Sequence, residues 1–138
     1  MATLDALRSL PVSHRPQRLL GCEVWRGLEW LSDADPAKVT HDVSARPHLA
    51  AALSGVFDSQ IAGGKRYDVA VEGRRRANAT FGSNTHAVDD ATHVQYAVDM
   101  TELLQPQNDK MTLQDYCRQR LQYVQQDVLG QLDTLTKG

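Results

Sequence analysis

A chain of 138 residues is the length of one domain and can bury roughly two thirds of the surface it exposes when unfolded. Hydrophobic residues at 41% and charged residues at 23% exclude a disordered or collagen-like polypeptide. Fifteen Lys plus Arg against seventeen Asp plus Glu, a net charge of −2, remove any global electrostatic case for binding nucleic acid, so a basic site must be local.

No run approaches the ~20 apolar residues of a membrane helix. The opening "MATLDALRSLPVSHRPQRLL" carries Asp5 and no unbroken apolar core, which argues against a secretory signal. Cys22 and Cys117 are far apart and in no metal or redox spacing. Two reduced thiols in a cytoplasmic protein are therefore expected, and Asn78-Ala79-Thr80 is a coincidental match to a glycosylation acceptor.

In chain order, residues 1–20 are expected to be irregular, because "PVSHRPQRLLG" holds two prolines and a glycine among basic residues. Residues 21–138 are expected to form a single α/β domain. "CEVWRGLEWL" can be written as a strand with Val24, Arg26, Leu28 and Trp30 on one face. After the turn cluster "SDADPAK", "KVTHDVS" alternates Val39, His41 and Val43 against polar residues and predicts a half-buried strand, with His41 as a hydrogen-bonded core histidine. Pro47 suits the first turn of a helix over "PHLAAALSGVFDSQIA" that ends at Gly63-Gly64 and gathers Leu49, Leu53, Val56, Phe57 and Ile61 on one side.

A second helix starts at Asp68, with a narrow face of Ala70, Gly73, Ala77 and Phe81 that predicts close packing. "SNTHAVDDAT" reads as a polar loop and "HVQYAVDM" as a strand. The last helix opens on a capping-box pattern, Thr112 to Asp115, and repeats Leu113, Cys117, Leu121, Val124, Val128, Leu132 and Leu135 at helical spacing. This order makes a mixed β-sheet flanked by helices.

The basic block "GGKRYDVAVEGRRRANAT" invites comparison with a phosphate-binding loop. That loop needs G-x-x-x-x-G-K-[ST], and here Gly64-Lys65 is followed by Arg66 while Ser59 stands where the first glycine belongs. Arg74, Arg75 and Arg76 are consecutive, so on a helix they fan over about 200° and cannot form one patch. They are either a solvated face with ion-pair partners such as Asp68 and Glu72, or a set from which Arg66 and one other orient an anionic or polyhydroxyl ligand. Lys65, Arg66, Arg74 and Arg75 are the ligand-binding candidates. His86, Asp89, Asp90 and His93 are metal-capable side chains in a spacing that matches no metal motif, so no metal ligand is assigned. With no G-x-S-x-G and no activated cysteine in view, no catalytic residue is assigned either.

The stretches "GCEVWRGLEWL", "HDVS", "VFDSQIAGGKRYDVAVEGRRRANATF" and "VQYAVDMTELL", in this order, resemble the C-terminal half of PIG-L (LmbE-like) family deacetylases. The resemblance runs from about Gly21 to Leu104 and is densest in its central block. It implies a Rossmann-like fold and zinc-dependent hydrolysis of an N-acetyl group, typically on an N-acetylglucosamine-containing substrate. In that family zinc is held by an A-H-P-D-D motif and a later H-x-x-H motif, and neither occurs in these residues. The resemblance therefore implies a portion without the metal centre, inactive alone, whose partner is a zinc-binding N-terminal half. The alternative is a non-catalytic binding or assembly module that recognises an anionic or sugar ligand or self-associates through an uncovered apolar face.

Overall fold

Strand β3 (Val94–Asp99) is the centre of a three-stranded sheet of order β1-β3-β2. Val94, Tyr96, Ala97 and Val98 are all buried, so both of its faces are covered, as a central strand requires. Strand β1 (Leu20–Gly21) pairs antiparallel with it, Leu20 opposite Asp99 and Gly21 opposite Val98. On the other edge lies β2 (Lys38–Asp42). The Asp99 N–H donates to the Ala37 carbonyl at 2.7 Å and the Val43 N–H to the His93 carbonyl at 3.0 Å, an antiparallel register. This computed structural model describes residues 2–23, 27–28, 30–82 and 90–136, apart from the side chain of Gln60. The helix-and-sheet class matches the sequence expectation, and the pairings among the described residues are antiparallel.

The chain forms two compact units. The first comprises Met1–Gly21, Trp30–Lys38 and Val98–Gly138. It opens with helix α1 (Ala2–Arg8), where an irregular segment was expected. Distant carbonyls hold this helix. Arg8 donates Nε to Leu103 at 2.9 Å and Nη2 to Asn108 at 2.9 Å and Met111 at 2.8 Å. Arg15 donates Nη1 to the Leu104 carbonyl at 2.7 Å and to Asp109 at 3.0 Å. Leu103 and Leu104, in the 3₁₀ turn Thr101–Leu104, are buried together with Leu4.

Helix α5 (Leu113–Thr136) begins as its capping box predicts: the Thr112 hydroxyl accepts the Asp115 N–H at 3.1 Å and the Asp115 carboxylate accepts the Thr112 N–H at 3.2 Å. Its orientation differs from expectation. Tyr116 is the buried residue, and Arg120 and Asp127 follow it inward to meet Asp35 and Ser32 at 3.0 and 3.2 Å. The predicted apolar stripe is consequently only partly covered: Leu113, Cys117 and Val124 are half-buried, while Leu121, Val128, Leu132 and Leu135 are exposed.

The second unit comprises Cys22–Glu29 and Val39–Ala97. Of the strand expected over "CEVWRGLEWL", residues 24–26 and Glu29 lie outside the described residues, while Cys22, Glu23, Gly27 and Leu28 are not in strand conformation. Leu28 instead sits at φ 56, with its N–H bonded to the Glu23 carboxylate at 3.1 Å. In β2, His41 is only half-buried and its side chain makes no hydrogen bond among the described residues, contrary to the expected core histidine.

The helix predicted from Pro47 stops early. Helix α2 (Pro47–Gly55) ends at a glycine, the poorest non-proline helix former, and a short helix α3 (Asp58–Ile61) follows. Leu49, Leu53, Val56 and Phe57, expected as a core face, are exposed. Gly63 and Gly64 take φ 70 and 86, the left-handed values that a helix stop requires and only glycine adopts without strain.

Helix α4 (Tyr67–Phe81) packs on β3 through its polar side. Asn78 donates Nδ2 to the Val94 carbonyl at 3.2 Å and Arg75 donates Nε to Gln95 at 3.1 Å. With Val71 buried between them, the Ala70, Gly73, Ala77 and Phe81 face is turned outward, and a Cβ added at Gly73 would meet nothing within 4 Å. The close-packing role predicted for that face is overturned, because hydrogen-bonding partners on β3 selected the opposite side. Glycine is needed instead at Gly82, just past the helix, where a Cβ would collide with the Tyr96 hydroxyl.

Candidate functional site

The second unit carries two open hollows beside α4. One, of about 300 Å³, has Ala50, Ala51 and Val69 in its apolar wall and Asp68, Glu72 and Arg75 among its polar groups. The other, of about 340 Å³, is lined by Val43, Ala45, Ala50 and Leu53 together with Arg46 and Arg75. Ala50 and Arg75 belong to both.

The four sequence candidates part company here. Arg75 is half-buried, and Gln95 fixes its Nε while no described residue bonds to its two Nη groups. Arg74 is directed to the other side of α4, where its stem fills the space that a Cβ at Gly27 would need. Arg66 is occupied by Asp68, with Nε and Nη2 reaching the two carboxylate oxygens at 3.0 and 2.9 Å. Lys65 is exposed and lines neither hollow. The fan of three arginines is therefore divided as its spacing dictates, and Arg76 joins Glu72 in an i,i+4 pair at 3.0 Å.

Arg46, Glu72, Gln95 and His93 complete the neighbourhood, and sequence reasoning had assigned none of them a site role. No single local pattern links them, since they come from a loop, a helix and the strand region around β3. His93 is buried at the mouth of β3 and bonds through Nε2 to the Glu72 carboxylate at 2.9 Å. A carboxylate only accepts, so Nε2 is the donor, and Nδ1 pairs with the Thr92 hydroxyl at 2.9 Å. The Ser44 hydroxyl accepts the N–H groups of Thr92 and His93 at 2.9 and 3.1 Å, which fixes the backbone under the ring. The His93 bond, opposed by partial burial and supplemented by Arg76, holds the Glu72 carboxyl below its usual range.

These pairings leave little capacity for a metal. Among the described residues no group of three His, Cys, Asp or Glu side chains is placed to hold one. His86 and Asp89 of the polar loop lie outside the described residues, and His93 is committed to Glu72. The described residues thus do not fit a zinc centre. Chemically, the arrangement offers a guanidinium end that no described residue engages beside apolar walls, with carboxylates on one flank. No described helix is long and apolar enough to cross a membrane. Comparison with family models, with curated proteins and with solved structures gave no match to this chain.

Proposed function

We propose that this chain is the non-metal-binding C-terminal part of a zinc-dependent N-acetyl-sugar deacetylase, built on a Rossmann-like fold and inactive by itself. Its role is to complete the substrate side of a protein whose zinc is held by a separate half. The observation that carries the reading is that each unit exposes apolar residues of its own, Leu49 and Leu53 on α2 in one and Leu121, Val128, Leu132 and Leu135 on α5 in the other, in a chain that otherwise buries its strand core. A missing half is the partner that would cover them. The resemblance of residues 21–104 supplies the reaction class, and the unlinked Cys22 and Cys117 accord with a cytoplasmic setting.

The test is the zinc content of the purified chain together with acetate release from N-acetylglucosamine derivatives. The expected result is neither stoichiometric zinc nor turnover from this chain alone; zinc at one per chain with turnover overturns it. A second reading, a non-catalytic binding or assembly module, is favoured by the apolar side of α5. Sedimentation over a concentration range checks it: a monomer at every concentration that binds no apolar dye counts against both an incomplete domain and a self-associating one.

A further inference from the structure

We infer that the paired hollows around Arg75 form a binding site for a small hydroxylated organic oxyanion, a carboxylate or a phosphate ester. The oxyanion sits between Arg75 and Arg46, and the hydroxyl-bearing end reaches Asp68 and Glu72. This deepens the binding-module reading and rests on it, but owes nothing to zinc or deacetylation.

Two observations place the anion. Gln95 holds Arg75 by Nε alone, which orients the guanidinium plane and leaves the Nη pair to form the parallel two-point bonds that suit a carboxylate or phosphate. Arg46 lines the same 340 Å³ hollow, its side chain engaged by no described residue, and no acidic side chain among the described residues lines that hollow. On that side the two cations, beside Val43, Ala45 and Leu53, meet no carboxylate of the described residues, and a half-buried guanidinium gains more from an anion than an exposed one does.

The opposite polarity next door places the rest of the ligand. Asp68 and Glu72 line the 300 Å³ hollow together with Ser54. Glu72 spends Oε1 on both Arg76 and His93, so Oε2 is left to accept from a ligand donor. Carboxylates accept from hydroxyls, which an unsubstituted fatty acid lacks and a sugar acid or sugar phosphate provides. The hollows adjoin at the shared Arg75 and Ala50, and their apolar walls suit the carbon face of such a molecule.

Isothermal titration of the full chain with glucose 6-phosphate, glucuronate, glucose and inorganic phosphate tests the site. One or both sugar anions should bind saturably, the tighter one identifying the oxyanion, with glucose and inorganic phosphate each weaker by about ten-fold or more. Arg75→Lys, which keeps charge and stem but loses the planar fork, and Arg46→Gln, an exposed change, should each weaken binding about ten-fold. Lys65→Gln should leave it unchanged. Glucose binding as tightly as its 6-phosphate, wild-type affinity in both arginine variants, or no saturable heat with either sugar anion overturns the proposal. Acetate release and sedimentation bear on the other readings and are unaffected by the outcome.

Discussion

The Tyr116 hydroxyl donates to the carbonyl oxygen of Asp99 across 2.7 Å, joining the first turn of α5 to the end of the central strand. The ring is almost fully buried, and burial pushes the phenol from its ordinary value near 10 up to about 12. Tyr116→Phe leaves that carbonyl without its partner and should cost about 1–2 kcal/mol in urea denaturation. A phenol whose pKa is higher folded than unfolded favours the native state while it is protonated. Its contribution is intact below pH 10 and declines as pH rises from 10 toward 12. The wild type should lose stability across that window more steeply than Tyr116→Phe, and parallel alkaline profiles would contradict this.

Arg120 lies between the rings of Tyr116 and Tyr123, 5.0 and 5.3 Å from their centroids, and donates Nη1 to the buried Asp35 carboxylate at 3.0 Å. The same oxygen of Asp35 accepts the Ala37 N–H at 2.9 Å, so one carboxylate anchors a turn and a helix. Asp35→Ala strips a desolvated cation of its nearer counter-ion, leaving among the described residues only Glu102 at 3.9 Å, and should cost about 3 kcal/mol. Adding Arg120→Met to that variant should restore part of the loss, because the buried charge disappears with it. A double-mutant cycle by thermal or urea unfolding measures the coupling, and additive losses would show that the pair does not act as a unit.

The Glu72 carboxyl is held low chiefly by its bond to His93, with Arg76 assisting. A depressed folded-state pKa contributes stability above the unfolded value of about 4.5, and that contribution is lost as pH falls through the lower folded value. The Tm advantage of the wild type over Glu72→Gln should therefore be full at pH 6 and shrink below pH 4.5. A difference that stays constant between pH 6 and pH 3 would exclude the His93 pairing as its source.

Gly63 and Gly73 make opposite predictions for the same substitution. Gly63 sits at φ 70, so Gly63→Ala should destabilise by about 1 kcal/mol. Gly73 is in the interior of α4 with open space where a Cβ would go, so Gly73→Ala should stabilise by about 1 kcal/mol. Chemical denaturation of the two variants side by side checks both signs.

Short-range rules made β2, β3, the capping box at Thr112 and the glycine stop at Gly63-Gly64 legible in the sequence, because alternation, capping and left-handed backbone are properties of a few adjacent residues. The division of Arg74, Arg75 and Arg76 was legible for the same reason: helical geometry alone separates consecutive residues. Helix α1 was not, since what holds its end is Arg8 bonding to carbonyls 95 to 103 residues away. Nor was the inward face of α4 or α5. Apolar periodicity pointed to Leu121 and Leu132 on one helix and to Ala70 and Ala77 on the other, yet Tyr116 and Arg120 turn in to meet Asp99 and Asp35, and Asn78 and Arg75 turn in to meet Val94 and Gln95. The sequence by itself determined where the elements run and which arginine neighbours must diverge. Only the tertiary structure decided which side of each helix is inside and that Arg75 stands with Arg46 beside a hollow, because a buried polar side chain goes where its hydrogen-bonding partner is, and the partner lies elsewhere in the chain.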